Sequence, residues 1–231
     1  SYSSPIQVGS LTNWKQVACN QNSILATKTD GTLWVWGDNR SGQLGNGTVN
    51  IYYSSPIQIG SMNTWSNVSF SDSSSSASFF LVPSSTQNYT PGQQTYYAGS
   101  LWGCGYNYNG SLGNGTTVQY SSPIQIGSLT NWASVSLSRS NFSSIKTDGT
   151  LWTCGYNNKG QLGNGTTINY SSPIQVGSLT NWKQVSVGLA HNSSAVKTDG
   201  TLWSWGQNTY GQLGNGTVNV FYSSPIQIGS L

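Results

Sequence analysis

The chain has 231 residues, and only 6 % of them are charged, where a soluble domain usually carries roughly 25 %. Eight Lys and Arg stand against five Asp and no Glu, and the net charge of +3 is spread without a basic run, which excludes a nucleic-acid footprint. No stretch approaches the ~18 apolar residues of a membrane helix, so no membrane insertion is expected, and a surface this rich in uncharged Ser, Thr, Asn and Gln suits an extracellular or cell-surface protein.

Taken in chain order, residues 3–8 (SSPIQV) alternate polar and apolar and predict a short strand. The segment from Trp14 to Val17 predicts a second strand, and after the link ACNQNS (18–23) a third runs to Lys28. Thr29-Asp30-Gly31 is a tight turn, because Gly accepts the positive φ that such turns require. TLWVWG follows as a strand with Trp34 and Trp36 on one face, and a loop containing GQLGNGT (42–48) leads into SPIQI (55–59). In the fourth copy of this segment Pro225 is placed at the strand's first residue, where an edge strand need not donate a backbone hydrogen bond.

The same order then returns three times, giving four repeats at about 9–60, 61–127, 128–177 and 178–231, preceded by a surplus outer strand at 3–8. The prolines of SSPIQ stand at 5, 56, 123, 173 and 225, and GxLGNGT recurs at 42–48, 110–116, 160–166 and 211–217. The TDGTLW segment recurs at 147–152 and 198–203, and the second repeat replaces it with AGSLW at 98–102. That repeat is also longer: Trp65 and Trp102 lie 37 residues apart, where Trp132 and Trp152 lie 20 apart, and the surplus is placed as a loop insertion near 83–97.

All ten tryptophans fall on three repeat positions. Trp14, Trp65, Trp132 and Trp182 open the first strand of each repeat, Trp34, Trp102, Trp152 and Trp203 follow Leu, and Trp36 and Trp205 precede Gly. At that third position the other repeats have Cys104 and Cys154, an exchange that an apolar packing site tolerates. Packing therefore accounts for the tryptophans, and Cys19, Cys104 and Cys154 are all expected to be buried thiols, since an odd count without metal spacing makes no disulfide framework. Four short strands of period two per repeat, with no helical stripe, define an all-β fold: a β-propeller of four-stranded antiparallel blades. Four blades are present, as an arc of a larger propeller or an open array, and the fifth SPIQ strand marks the chain as part of something longer.

The succession W..V..G, (H), A.KTDGTLW.WG.N..GQLGNGT and P.QI resembles the regulator of chromosome condensation repeat family over essentially the whole chain apart from 83–97. The resemblance implies a propeller, commonly of seven blades, that works through protein contacts made by loops on a rigid ring; exchange factors for small GTPases and chromatin binders are among its members.

Catalytic chemistry has no set of residues to rest on. Asp30, Asp148 and Asp199 are turn residues, and His191 is the one histidine, without companions for a metal site. No enzyme activity, metal or cofactor is expected. The packing motifs stay fixed between repeats while the links between first and second strands change, as a binding face requires. The candidate partner contacts are accordingly Asn22, Tyr89, Tyr96, Tyr97, Arg139 and His191, with Tyr and Arg favoured at hot spots. The partner is expected to be a protein or further copies of the chain itself. A glycan, and a place in an extracellular fibre or phage appendage, stay open.

Overall fold

A computed structural model describes residues 7, 9–70, 77–83 and 99–229. The described residues form sixteen strands grouped in fours. The first blade is β1 (Trp14–Cys19), β2 (Ser23–Lys28), β3 (Leu33–Asp38) and β4 (Tyr52–Gln58), paired antiparallel in that order. The second is β5 (Ser66–Phe70), β6 (Ala77–Pro83), β7 (Gly99–Gly105) and β8 (Tyr120–Gln125). The third runs β9 (Trp132–Leu137), β10 (Asn141–Lys146), β11 (Leu151–Gly155) and β12 (Tyr170–Gln175), and the fourth β13 (Trp182–Val187), β14 (Asn192–Lys197), β15 (Leu202–Asn208) and β16 (Val220–Ile228). The second and third blades also touch through one bridge, Gly99 opposite Trp132.

The first strands of successive blades, β1, β5, β9 and β13, lie against one another and line the inner edge, which leaves each fourth strand on the outer edge. The core sits between blades. Leu25, Leu33, Val35 and Leu44 of the first blade pack on Trp65, Val68 and Cys104 of the second. Leu81, Leu101 and Leu112 meet Trp132, Phe142 and Cys154 in the next seam, and Ile145 and Leu151 meet Trp182, Val185 and Trp205 in the last. A blade buries neither face alone, so the apolar alternation of every strand is satisfied only by its neighbours.

In the first, third and fourth blades the turn between second and third strands is held by its own side chains. Asp148 accepts from the backbone N–H and hydroxyl of Thr150 at 3.0 and 2.6 Å, and the Thr150 hydroxyl accepts from the Trp152 indole at 2.8 Å. Lys146, nearly buried, lays its ammonium 3.5 Å from the Trp152 ring and 4.8 Å from Trp132, whose rings meet edge to face. The same set recurs with Lys28, Asp30, Trp14 and Trp34, and with Lys197, Asp199, Trp182 and Trp203. The tryptophans are thus packing and bracing groups, and Trp65, Trp132 and Trp182 are buried.

Two expectations are corrected. The outer strands begin earlier than the prolines: Pro225 lies inside β16 (Val220–Ile228), not at its start. The pairing with β15 resumes beyond Pro225, with Gly206 opposite Tyr222, after a register shift between Ser204 and Gly206. A bulge on the outermost strand needs no N–H from proline, so the strand continues through it. Cys19 is exposed, whereas Cys104 and Cys154 are buried. It stands opposite Ile24 as Val187 stands opposite Ser193, but Val187 is covered by the preceding blade, and no described residue covers Cys19. The surplus strand, apart from Gln7, and the insertion beyond Pro83 lie outside the described residues.

Candidate functional site at the loop rim of the third and fourth blades

In the first, third and fourth blades the link after the first strand and the long loop after the third strand emerge at the same end. Both are short-tethered. In the third blade the Ser138 N–H donates to the Asn141 carbonyl at 2.9 Å, and the Tyr156 N–H donates to the Ser140 carbonyl at 2.8 Å, which leaves Arg139 as the exposed apex. In the fourth, the Gly188 N–H donates to the Asn192 carbonyl at 2.8 Å and the Gln207 N–H to the His191 carbonyl at 2.9 Å. The tether demands a glycine at the end of the third strand. A Cβ on Gly155, whose φ is 106°, would lie 2.2 Å from the Ser140 carbonyl oxygen.

Behind these apexes the long loops are rigid. The buried Asn157 side chain donates to Asn164 Oδ1 at 3.1 Å and to the Thr166 carbonyl at 3.0 Å, and accepts from the Leu162 N–H at 2.9 Å. Asn39, Asn107 and Asn208 brace their loops in the same way.

On this frame five side chains converge. The His191 ring, half-buried with φ at 57°, sits edge-on to Tyr156 with centroids 5.4 Å apart, and its Nδ1 is 3.4 Å from Gln161 Nε2. Burial, and then the Lys159 and Arg139 cations facing it, hold His191 below the usual histidine range. The imidazole is therefore neutral at pH 7, beside two cations that form no salt bridge among the described residues. The first blade differs: there Arg40 forks onto Asp38 at 2.7 Å, so that loop cancels its own charge. Burial raises the Asp38 carboxyl, but the Arg40 hydrogen bonds outweigh it and the net shift is downward.

Of the expected contacts, the structure brings Arg139 and His191 together. Asn22 sits in the corresponding link two blades away, exposed, with its carbonyl accepting from the Asp38 N–H at 2.8 Å. Tyr89, Tyr96 and Tyr97 lie outside the described residues. Tyr156, Lys159 and Gln161 were missed. Lys159 had a signal: its repeat position holds Ser41, Asn109 and Tyr210 in the other copies, so the copies disagree there as they do in the links.

Small hollows recur along the seams. One is lined by Gly45, Gln58, Met62, Trp65 and Trp102, and its equivalent by Gly113, Gln125, Leu129, Trp132 and Trp152. They follow from the repeat and hold no distinctive chemistry. No group of three or more His, Cys, Asp or Glu is gathered as for a metal among the described residues.

The fold and this rim define an arc of a β-propeller with four-stranded blades and loops braced to one end. Models of the regulator of chromosome condensation (RCC1) repeat match residues 30–78, 98–141, 148–194 and 199–231, with a second RCC1 repeat model matching 14–43 and 182–212. The chain belongs to the regulator of chromosome condensation repeat family. Solved structures with the same fold include human WBSCR16 (TM-score 0.75, 21 % identity, 94 % of this chain and 52 % of that one). Prp20p from Saccharomyces cerevisiae, described with its binding properties to Gsp1p and histones, matches with a TM-score of 0.77 at 19 % identity, over 97 % of this chain and 52 % of that one. Yeast RCC1 (Prp20) bound to Kap60 gives 0.76 at 19 %, over 96 % and 50 %. The chain spans about half the length of these proteins.

Proposed function

We propose that the chain is a non-catalytic protein-binding module, and that its loop rim over the third and fourth blades takes a carboxylate-bearing segment of a protein partner. The observation that carries this reading is the group of Arg139, Lys159 and His191, set around Tyr156 on tethered loops with no neutralising carboxylate bonded to either cation among the described residues. Rigid aromatic and cationic groups on pre-ordered loops bind at low entropic cost. That other proteins of this fold, such as Prp20p, have binding properties to proteins is in keeping with it.

The probe is a fluorescein-labelled acidic peptide, an oligo-glutamate, followed by anisotropy. Binding should weaken with salt, and each of Arg139→Glu and Lys159→Glu should lower affinity by about 5- to 10-fold, as expected for partly screened charges worth about 1 kcal/mol. A carboxylate beside His191 favours its protonated form, so binding should tighten as pH falls from 7.5 to about 6, and His191→Asn should flatten that dependence. Binding that ignores both charge reversals, or no binding at low salt, defeats the proposal.

A further inference from the structure

Every long loop carries the same frame, a buried Asn with a variable residue on either side. Asn39, Asn107, Asn157 and Asn208 are fully buried, and each braces its own loop. The residues that flank them differ from blade to blade. In the first blade they are Asp38 and Arg40, which close on each other as an ion pair. In the fourth they are Gln207 and Thr209, and the amide donates to the hydroxyl at 2.7 Å. In the third, Tyr156 turns to His191 of the next blade. In the second they are Tyr106 and Tyr108, whose rings stack at 28° with centroids 6.4 Å apart.

The tyrosine pair is an aromatic platform on a rigid support. Tyr108 is 73 % exposed, yet the residue before it is fixed: Asn107 donates to the Thr116 and Val118 carbonyls at 3.1 and 2.9 Å and accepts from the Leu112 N–H at 2.8 Å. An exposed ring on a braced loop gains by being covered and loses little conformational freedom when it is. Residues 105–117 include no charged side chain. The loop is pressed against the third blade: the Cys154 thiol donates to the Gly110 carbonyl at 3.4 Å and to that of Ser111 at 3.8 Å, and a Cβ on Gly110 would lie 2.5 Å from the Ser171 Cα. The repeat fixes what the platform faces. Tyr156 and Gln161 meet His191, whose carbonyl accepts from the Gln207 N–H. Tyr106 and Ser111 hold the corresponding places toward Ser140, whose carbonyl accepts from the Tyr156 N–H, and Arg139 is the residue before it. The uncharged platform therefore adjoins the cationic group of the rim, one seam away.

We infer that the segment bound at the rim is an extended acidic peptide that also seats an aromatic side chain on the Tyr106–Tyr108 stack. The inference rests on the reading of Arg139, Lys159 and His191 as a carboxylate site and adds an apolar subsite to it. Packed sheets lie about 10 Å apart and an extended chain advances about 3.3 Å per residue, so ring and carboxylate stand about three residues apart. A ring is specified because the stack leaves a flat aromatic face open, and offset ring-on-ring contact adds to the burial. The two subsites divide the recognition by charge: Arg139 and Lys159 attract a carboxylate and repel a basic residue, while the second-blade loop has no charge to offer either.

Two fluorescein-labelled peptides test this by anisotropy on the intact chain. One is Phe-Ser-Gly-Glu-Glu-Glu-Gly-Ser-Phe, which places a ring three residues from a glutamate in either chain direction, and the other is its twin with Ala for each Phe. The ring peptide should bind the parent about 5-fold more tightly, an ordinary gain for an aromatic pair. Tyr108→Ala changes an exposed side chain, keeps the Asn107 bonds in place, and should bring the two peptides to the same affinity. Arg139→Glu should weaken both peptides and keep their ratio. Equal affinities for the parent, or a preference that survives Tyr108→Ala, overturns the inference and leaves the carboxylate reading intact. Failure of both peptides to bind at low salt defeats the carboxylate reading and this inference with it. Cellohexaose that binds in place of the peptides, and is lost with Tyr108→Ala, makes the platform a sugar site and overturns the inference as well.

Discussion

At the scale of single residues, the fate of a cysteine depends on which neighbouring blade stands beside it. Cys104 and Cys154 lie in seams, and burial drives both thiols well above the usual cysteine range. Cys19 lies on the open face of the first blade. In the native, dilute protein a disulfide reagent should therefore titrate one thiol rapidly, and all three only after unfolding. Two or more fast thiols would mean that the seams open on the timescale of the reaction. The composition alone suggested three equivalent apolar cysteines. What separated them, the presence or absence of a preceding blade, is a property of neighbours and not of the residue's own alternation. The rim was read in part for a related reason. Arg139 and His191 stood out because the links differ between copies, while Lys159 and Tyr156 sit in the loop and strand end that face them, and their proximity arises only when two blades stack.

At the scale of elements, the strand pattern was legible almost throughout: period-two alternation, Asp-Gly turns and the tryptophan register placed the four strands of each blade. The outer strands were drawn too short because proline was taken as a boundary, whereas a bulge on an edge strand absorbs it. The same element should cost different amounts to damage in different blades. Trp182 is 4 % exposed and packs in the last seam with Ile145, Leu151 and Trp205. Trp14, its counterpart on β1, is only half-buried beside Trp34 and Trp36. Trp182→Ala should destabilise by about 3–5 kcal/mol, the range for emptying an aromatic site in a core. Trp14→Ala should cost about 1–2 kcal/mol, since much of its surface is already in water. Denaturant midpoints of the two variants against the parent measure the difference, and equal losses would show that the first blade's face is covered.

At the scale of the whole molecule, a stack of blades in which each touches only its neighbours distributes stability as a sum of blade and seam terms. The inner blades have two seams and the end blades one. β10 is buried along its whole length, with β9 and β11 on either side and the fourth blade packed against it. β1 pairs only with β2 and exposes residues 15–17, because no described blade precedes it. Amide hydrogen exchange under native conditions should follow that gradient. The N–H groups of β10 should exchange only through large-scale opening, with β1 exchanging first among the strands through local fraying, at a free energy well below the global value. Uniform protection from β1 to β13 would mean that the molecule unfolds as one cooperative unit, with seam energies too large for the ends to fray.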